Sequence, residues 1–338
     1  MDKQRRYSTN EYLNAMKRKV QPKENLRDCL LSEVEKVRKE KTEALLKCLK
    51  IEELQEAFET EKSFTKVEDV ETMFDSAEKY EMGGIENLPF PVYVVRPKKP
   101  NGEAILYLHG HDPAGVNGVF VTRPEKEPYH KNIAMKMVQQ GYTVYLPELM
   151  GFGEATYIYR PKTEEEESEC FLNAGYLAMC GFSLSGMRTW QSLMVLEQMK
   201  ADGFSKLGIF GVSGGGLIAM FTAVLAPEIE KIMLHSFMNS WEHSVLAKEQ
   251  CVDNYLHGIV RVGESYEIAA LLAPRRLLTI NGTGDRPFPK EGFELATDYL
   301  RAVYERSDAS DAYTSILFEG RHEVNAEETI NWLKAQEE

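Results

Sequence analysis

The chain has 338 residues, of which 43% are hydrophobic and 28% charged, and its formal net charge is −13 at pH 7. That length and composition suit a globular protein with a sizeable core, either one large α/β domain with an extension or two ordinary domains. The negative charge argues against a nucleic-acid backbone or an anionic membrane surface as partner and leaves a small-molecule substrate open.

The first residues, Met1 to Arg6, do not lead into an apolar signal segment, and no run of about 18 apolar residues follows anywhere. A cytoplasmic protein is expected. Residues 1–62 are dense in Lys, Arg and Glu, with one proline, Pro22, and no glycine. Leu26, Leu30, Val34 and Val37 recur at helical spacing, then Leu45, Leu49 and Leu54, which predicts an amphipathic helical extension. Its apolar stripe is expected to pack on the remainder of the chain, with a coiled-coil or homo-oligomer contact as the alternative use.

From residue 63 onward an α/β domain is expected. Phe90–Arg96 alternates like a half-buried strand, and Ala104–Leu108 is a continuous apolar run, as for an interior parallel strand. A helical stretch near 130–140, a strand at Thr143–Leu146 and a helix over Gly186–Met199 come next. The acidic run Glu164–Glu167 reads as a solvated loop. Leu207–Phe210 is a short buried strand and Gly216–Ala226 a helix, joined by Gly211-Val212-Ser213-Gly214-Gly215. Further strands are expected at Lys231–Leu234, Arg276–Ile280 and Thr314–Phe318, with a last helix over about 325–336. Strands alternating with helices predict a mostly parallel sheet covered on both faces. The stretch 236–269, with Phe237, Met238, Trp241, Tyr255, Leu256, Ile259 and Tyr266, is either a lid bordering a pocket or core packing.

The five cysteines, Cys29, Cys48, Cys170, Cys180 and Cys251, are scattered and form no Cys-x-x-Cys, so they read as buried free thiols rather than a disulfide framework or zinc site. His109-x-His111-Asp112 invites a metal reading, but no third histidine follows nearby, and no Cys or acidic cluster completes a coordination shell in the sequence. No metal or other cofactor is expected.

A strand, a sharp Gly-x-Ser-x-Gly turn and a helix describe a nucleophile elbow. The pattern alone turns up by chance in roughly one chain in ten of this length, so the partners downstream decide. A serine hydroxyl needs a base within hydrogen-bond reach, and the base needs an orienting acid. Asp285 ends the strand-to-loop segment Leu278–Asp285, and His322 follows strand residues 316–318 and Gly320. Order and context therefore name Ser213 as nucleophile, His322 as base and Asp285 as acid, with Glu319 as the reserve acid. The amide of Gly214, at a helix N-terminus, and that of His111, after the strand 104–108, are the expected oxyanion donors.

These residues resemble the α/β-hydrolase superfamily over roughly 85–335. The His109-Gly110-His111 loop, the elbow, Ala273–Leu278, Asp285 and Gly320-Arg321-His322-Glu323 are most similar to its dienelactone hydrolase and acetyl xylan esterase-like branch. Cys251-Val252-Asp253-Asn254-Tyr255 also resembles esterases with a helical N-terminal extension. The resemblance implies the α/β-hydrolase fold and a serine esterase acting without cofactor on a small ester or acetylated sugar. Dienelactone hydrolases proper use cysteine where this chain has Ser213, so their activity does not follow. A peptidase or acyltransferase would use the same machinery, and a catalytically silent binding module is the reading from another class.

Overall fold

The computed structural model describes residues 8–58, 62–71, 76–86, 88–112, 114–120, 130–156 and 169–336. The acidic run 164–167 lies outside them. Nine strands form one sheet, in the order β1-β2-β3-β5-β4-β6-β7-β8-β9. In chain order these are β1 (Phe64–Glu71), β2 (Ser76–Met82), β3 (Phe90–Val95), β4 (Glu103–Leu108), β5 (Thr143–Pro147), β6 (Lys206–Val212), β7 (Ile229–His235), β8 (Arg276–Gly282) and β9 (Tyr313–Phe318). The run from β5 through β9 pairs in parallel. The β1–β2, β2–β3 and β3–β5 ladders are antiparallel.

The apolar runs read as strands are buried on both faces, because alternate side chains enter two separate cores. Ala104, Leu106 and Leu108 of β4 point into one, and Ile105 and Tyr107 into the other. The larger core is closed by α7 (Leu184–Ala201), α8 (Gly214–Leu225), the short α9 (Ser265–Ala269) and α10 (Lys290–Arg306). The smaller is closed by α4 (Val116–Phe120), α5 (Ile133–Gln139) and α11 (Ala326–Ala335). The mostly parallel sheet with helices on both faces is thus present. No single helix among the described residues is long and apolar enough to cross a membrane.

The structure departs from the sequence reading in several places. β1 and β2 extend the sheet with an antiparallel edge where no strand was expected, and β3 is buried along nearly its whole length rather than half-buried. Helices α10 and α6 (Cys170–Met179) were not anticipated either. Among the cysteines only Cys170 is buried; Cys29, Cys48 and Cys251 are half-buried and Cys180 is exposed, all five as free thiols.

The described part of the N-terminal region forms α1 (Thr9–Val20), α2 (Val34–Leu49) and α3 (Ile51–Ala57). Leu26, Val37, Leu45, Leu49, Ile51 and Leu54 are buried in the larger core, whereas α1 exposes Tyr12, Leu13 and Met16. Polar contacts fix the docking: Lys41 Nζ donates to Val262 O at 2.6 Å, and Lys17 Nζ lies 2.6 Å from Glu264 Oε1. Both partners belong to the stretch 236–269. Within that stretch Phe237, Met238, Trp241, Leu256 and Ile259 are buried, while Tyr255 is exposed. Core packing thus claims most of its apolar residues, because this segment is the floor on which the N-terminal helices sit.

Leu45 is fully buried. Leu45→Ala should lower the unfolding free energy by about 2–5 kcal/mol. Urea denaturation followed by tryptophan fluorescence and by far-UV circular dichroism should show one coincident transition at lower urea. An early, separate loss of helix with the fluorescence midpoint unmoved would mean that the N-terminal helices fold apart from the sheet.

Candidate active site

The turn between β6 and α8 is held in a conformation that few residues tolerate. Ser213 has φ 55° and ψ −125°. A non-glycine residue there costs on the order of 1–3 kcal/mol and persists only where its surroundings impose it. The imposition is visible at Gly215, where a Cβ would stand 2.3 Å from Leu108 O and 2.4 Å from His109 O. The start of α8 therefore presses directly on the end of β4, and only glycine permits the approach. The Ser213 amide is anchored to His235 O at 2.9 Å. The strain lifts the hydroxyl off the sheet edge at the N-terminal end of α8.

His322 and Asp285 reach that hydroxyl from neighbouring loops. His322 Nε2 lies 2.9 Å from Ser213 Oγ, and His322 Nδ1 lies 2.8 Å from Asp285 Oδ2. The two loops are zipped together: Thr283 N–H donates to Phe318 O and Gly284 N–H to Gly320 O, each at 2.8 Å. Asp285 Oδ1 accepts from the Phe288 amide at 2.9 Å, which fixes which oxygen faces the imidazole. The Phe288 ring lies nearly parallel to the imidazole, with centroids 5.8 Å apart. Behind His322, Glu323 is gripped by Lys131 at 2.8 Å and its carbonyl by Ser236 Oγ at 3.0 Å. Ser213 and Asp285 are 7% and 3% exposed, so the two ends of the relay are shielded from water while the His322 side chain, 24% exposed, faces the opening.

Two of the rival histidines are buried and engaged elsewhere. His130 Nδ1 sits 2.7 Å from Tyr107 OH and His235 Nε2 3.0 Å from Thr329 Oγ1. Burial pushes both imidazoles down to about 3. Glu319, the reserve acid, is exposed, unlike Asp285.

Of the expected oxyanion donors, Gly214 opens α8, where a helix leaves its first amides without helical acceptors. His111 lies against it: a Cβ on Gly214 would be 2.6 Å from His111 Cε1. The structure thus brings residues 111 and 214 together at the elbow. His109 and Asp112 do not join them as a ligand set. His109 bonds to Gly110 O and receives the Leu149 amide, and Asp112 Oδ1 accepts from Ala114.

What the sequence did not disclose is the cluster behind His111. Its Nε2 lies 2.9 Å from Asp253 Oδ2. Arg188 Nη1 bonds to the same oxygen, and Arg188 Nη2 lies 3.2 Å from Cys170 Sγ. The four donor atoms of His111, Cys170, Cys251 and Asp253 all lie within 4.8 Å of one another. Phe152 covers the assembly, with Arg188 4.7 Å above its ring and His111 edge-on at 5.4 Å. Burial opposes charge on His111, but the Asp253 carboxylate outweighs it and pushes the imidazole up to about 10. Burial likewise opposes the Asp253 carboxylate, which His111 and Arg188 nonetheless hold well below the usual range. One signal pointed here: Arg188 is an arginine within a helix that is otherwise buried and largely apolar, and a buried guanidinium requires an acid.

No family model matches the chain. A protein of Bacillus subtilis (strain 168) named "Putative hydrolase YtaP" is 30% identical over 235 residues, which cover 66% of this chain and 74% of that one. Among solved structures, a "putative acetyl xylan esterase" from Bacteroides fragilis NCTC 9343 has a TM-score of 0.79 at 18% identity, covering 98% of this chain and 95% of its own. A carbohydrate esterase family 15 glucuronoyl esterase from Caldicellulosiruptor kristjansonii has a TM-score of 0.59 at 14% identity, covering 90% and 85%. At these identities the two structures speak for the fold.

Proposed function

The chain belongs to the α/β-hydrolase superfamily, and on that premise we propose that it is a serine hydrolase of carboxylic esters, acting on a small ester or an acetylated sugar. The observation that carries the reading is the continuous relay from Ser213 Oγ through His322 to Asp285, at 2.9 and 2.8 Å. His322 Nε2 takes the serine proton as Oγ attacks the ester carbonyl, and Asp285 steadies the imidazolium through Nδ1. The amides of Gly214 and His111 receive the oxyanion; such a donor is worth on the order of 3 kcal/mol in the barrier. Collapse expels the alcohol, which leaves with the proton held by His322. Water, deprotonated by the same histidine, then releases the acid from Ser213.

The low exposure of the hydroxyl favours a compact acyl group, and the similar structures described as acetyl xylan and glucuronoyl esterases favour a carbohydrate ester. Five unpaired thiols fit a reducing compartment, in keeping with a cytoplasmic enzyme.

The test is fluorophosphonate labelling with peptide mapping, beside a rate panel of p-nitrophenyl esters, acetylated sugars, lactones and peptide amides. Label confined to Ser213, with p-nitrophenyl acetate or an acetylated sugar turned over well ahead of the amides, is the expected result. A properly folded chain that takes no label would discard the mechanism and leave the binding-module reading. Faster turnover of amides would make it a peptidase.

A further inference from the structure

The cluster behind the elbow contains two thiols that the hydrolytic mechanism does not use. Cys170 opens α6, Cys251 lies 81 residues further on in the segment leading to Asp253, and their Sγ atoms are within 4.8 Å. We propose that Cys170 and Cys251 form a peroxide-sensitive dithiol site, in which Cys170 is the attacking sulfur and Cys251 the resolving one.

The assignment of roles follows from the neighbours. Arg188 Nη2, 3.2 Å from Cys170 Sγ, and the imidazole of His111 give that sulfur two cationic partners. They favour thiolate, the nucleophilic form. The hydrogen bond from Cys251, with His111 and Arg188, draws the Cys170 thiol down despite burial, while that same bond and burial push Cys251 up, so it stays a thiol. Cys170 is buried, but Cys251 is half-buried and the His111 side chain is about a quarter exposed, so the cluster opens on that side to a molecule as small as hydrogen peroxide. The same four donor atoms have the composition of a zinc site. Arg188 argues against it: its guanidinium contacts both Asp253 and Cys170 and already supplies the positive charge that a cation would bring.

The chemistry balances as follows. The Cys170 thiolate attacks one peroxide oxygen, the O–O bond breaks, and the departing hydroxide takes a proton to become water. Cys251 sulfur then attacks the sulfenic sulfur, the S–O bond breaks, and a second water leaves with the Cys251 proton. The two sulfurs lose two electrons to one peroxide, and the S–S bond closes to about 2 Å. Closure discharges the thiolate and leaves His111 and Arg188 facing the single carboxylate of Asp253, against Gly214. Ester turnover should therefore fall until a dithiol reductant restores it. That consequence rests on the ester-hydrolase reading, whereas the cross-link does not.

The full-length protein is treated with hydrogen peroxide, quenched in denaturant with iodoacetamide, and mapped by mass spectrometry without reduction. A Cys170–Cys251 peptide pair lighter by two hydrogens should form at least ten-fold faster than exposed Cys180 is oxidised, and dithiothreitol should reverse it. Cys251→Ser should leave Cys170 as a dimedone-reactive sulfenic acid, with a melting temperature near that of the parent. Oxidation of Cys180 ahead of an unlinked Cys170 would overturn the proposal. So would one equivalent of Zn²⁺ retained through dialysis with both thiols shielded from peroxide. Cross-linked protein that turns over p-nitrophenyl acetate at the undiminished rate would overturn the regulatory consequence.

Discussion

Ser213→Ala should lower kcat for the best ester by about 10⁶, the scale set by removal of a triad serine in subtilisin. Ser213 Oγ is the hydroxyl that faces His322 Nε2 at 2.9 Å, so its loss removes the nucleophile of the proposed relay. The fold should survive. Alanine keeps the Cβ, so it meets the same backbone cost at φ 55° that serine already meets, and the Ser213 amide bond to His235 O is untouched. The variant should melt within a few degrees of the parent and lose fluorophosphonate labelling completely. Residual turnover would come from the amides of Gly214 and His111 acting on bound substrate with water as attacker. Activity retained within ten-fold, with the variant confirmed by mass, would move the nucleophile to another residue.

How much of this was legible depends on the range of the forces involved. The parallel strands were readable because a strand buried on both faces must be apolar along its length, as Ala104–Leu108 is. The elbow was readable because Gly211 and Gly215 are steric requirements of the local backbone: a Cβ on Gly211 would stand 2.3 Å from Gly215 O. Asp285 and His322 were readable through chain order and their position after strands. β1 and β2 were not, since their sequences, FTKVEDVE and SAEKYEM, are largely charged or polar, and β1 is the exposed sheet edge. An edge strand of that kind declares itself only through its ladder to a neighbour.

The cluster of His111, Cys170, Arg188, Asp253 and Cys251 was hidden for the opposite reason. Each residue has an ordinary local setting, and the charge pairing joins segments far apart in sequence. His111 was singled out for its backbone amide, while its side chain turns away from His109 and Asp112 to a carboxylate far downstream. A buried ion cluster of this sort contributes little net stability relative to apolar packing but is costly to break. Arg188 and Asp253 hold His111, and with it the loop that lies against Gly214 and carries the amide proposed as an oxyanion donor. The N-terminal helices act at one remove, since Lys17 and Lys41 pin the same 236–269 segment in which Asp253 resides. The extension and the site are thereby parts of one packing problem.

Asp285→Asn should reduce kcat by about 10⁴ while barely changing stability, by the reasoning that applies to a triad aspartate made neutral. The argument is geometric. Phe288 N–H donates to Oδ1 at 2.9 Å, so an asparagine would keep its oxygen there and turn its amide nitrogen toward His322 Nδ1. Two donors cannot share that contact, so the imidazole must present an unprotonated Nδ1 and carry its proton on Nε2. Nε2, 2.9 Å from Ser213 Oγ, would then be unable to accept the serine proton. The charge that stabilises the imidazolium is lost as well. Ser213 should label with fluorophosphonate far more slowly than in the parent, while the melting temperature stays close. If Asp285→Asn kept turnover within ten-fold, the acid would have to be sought elsewhere, with Glu319 the first to exchange for glutamine.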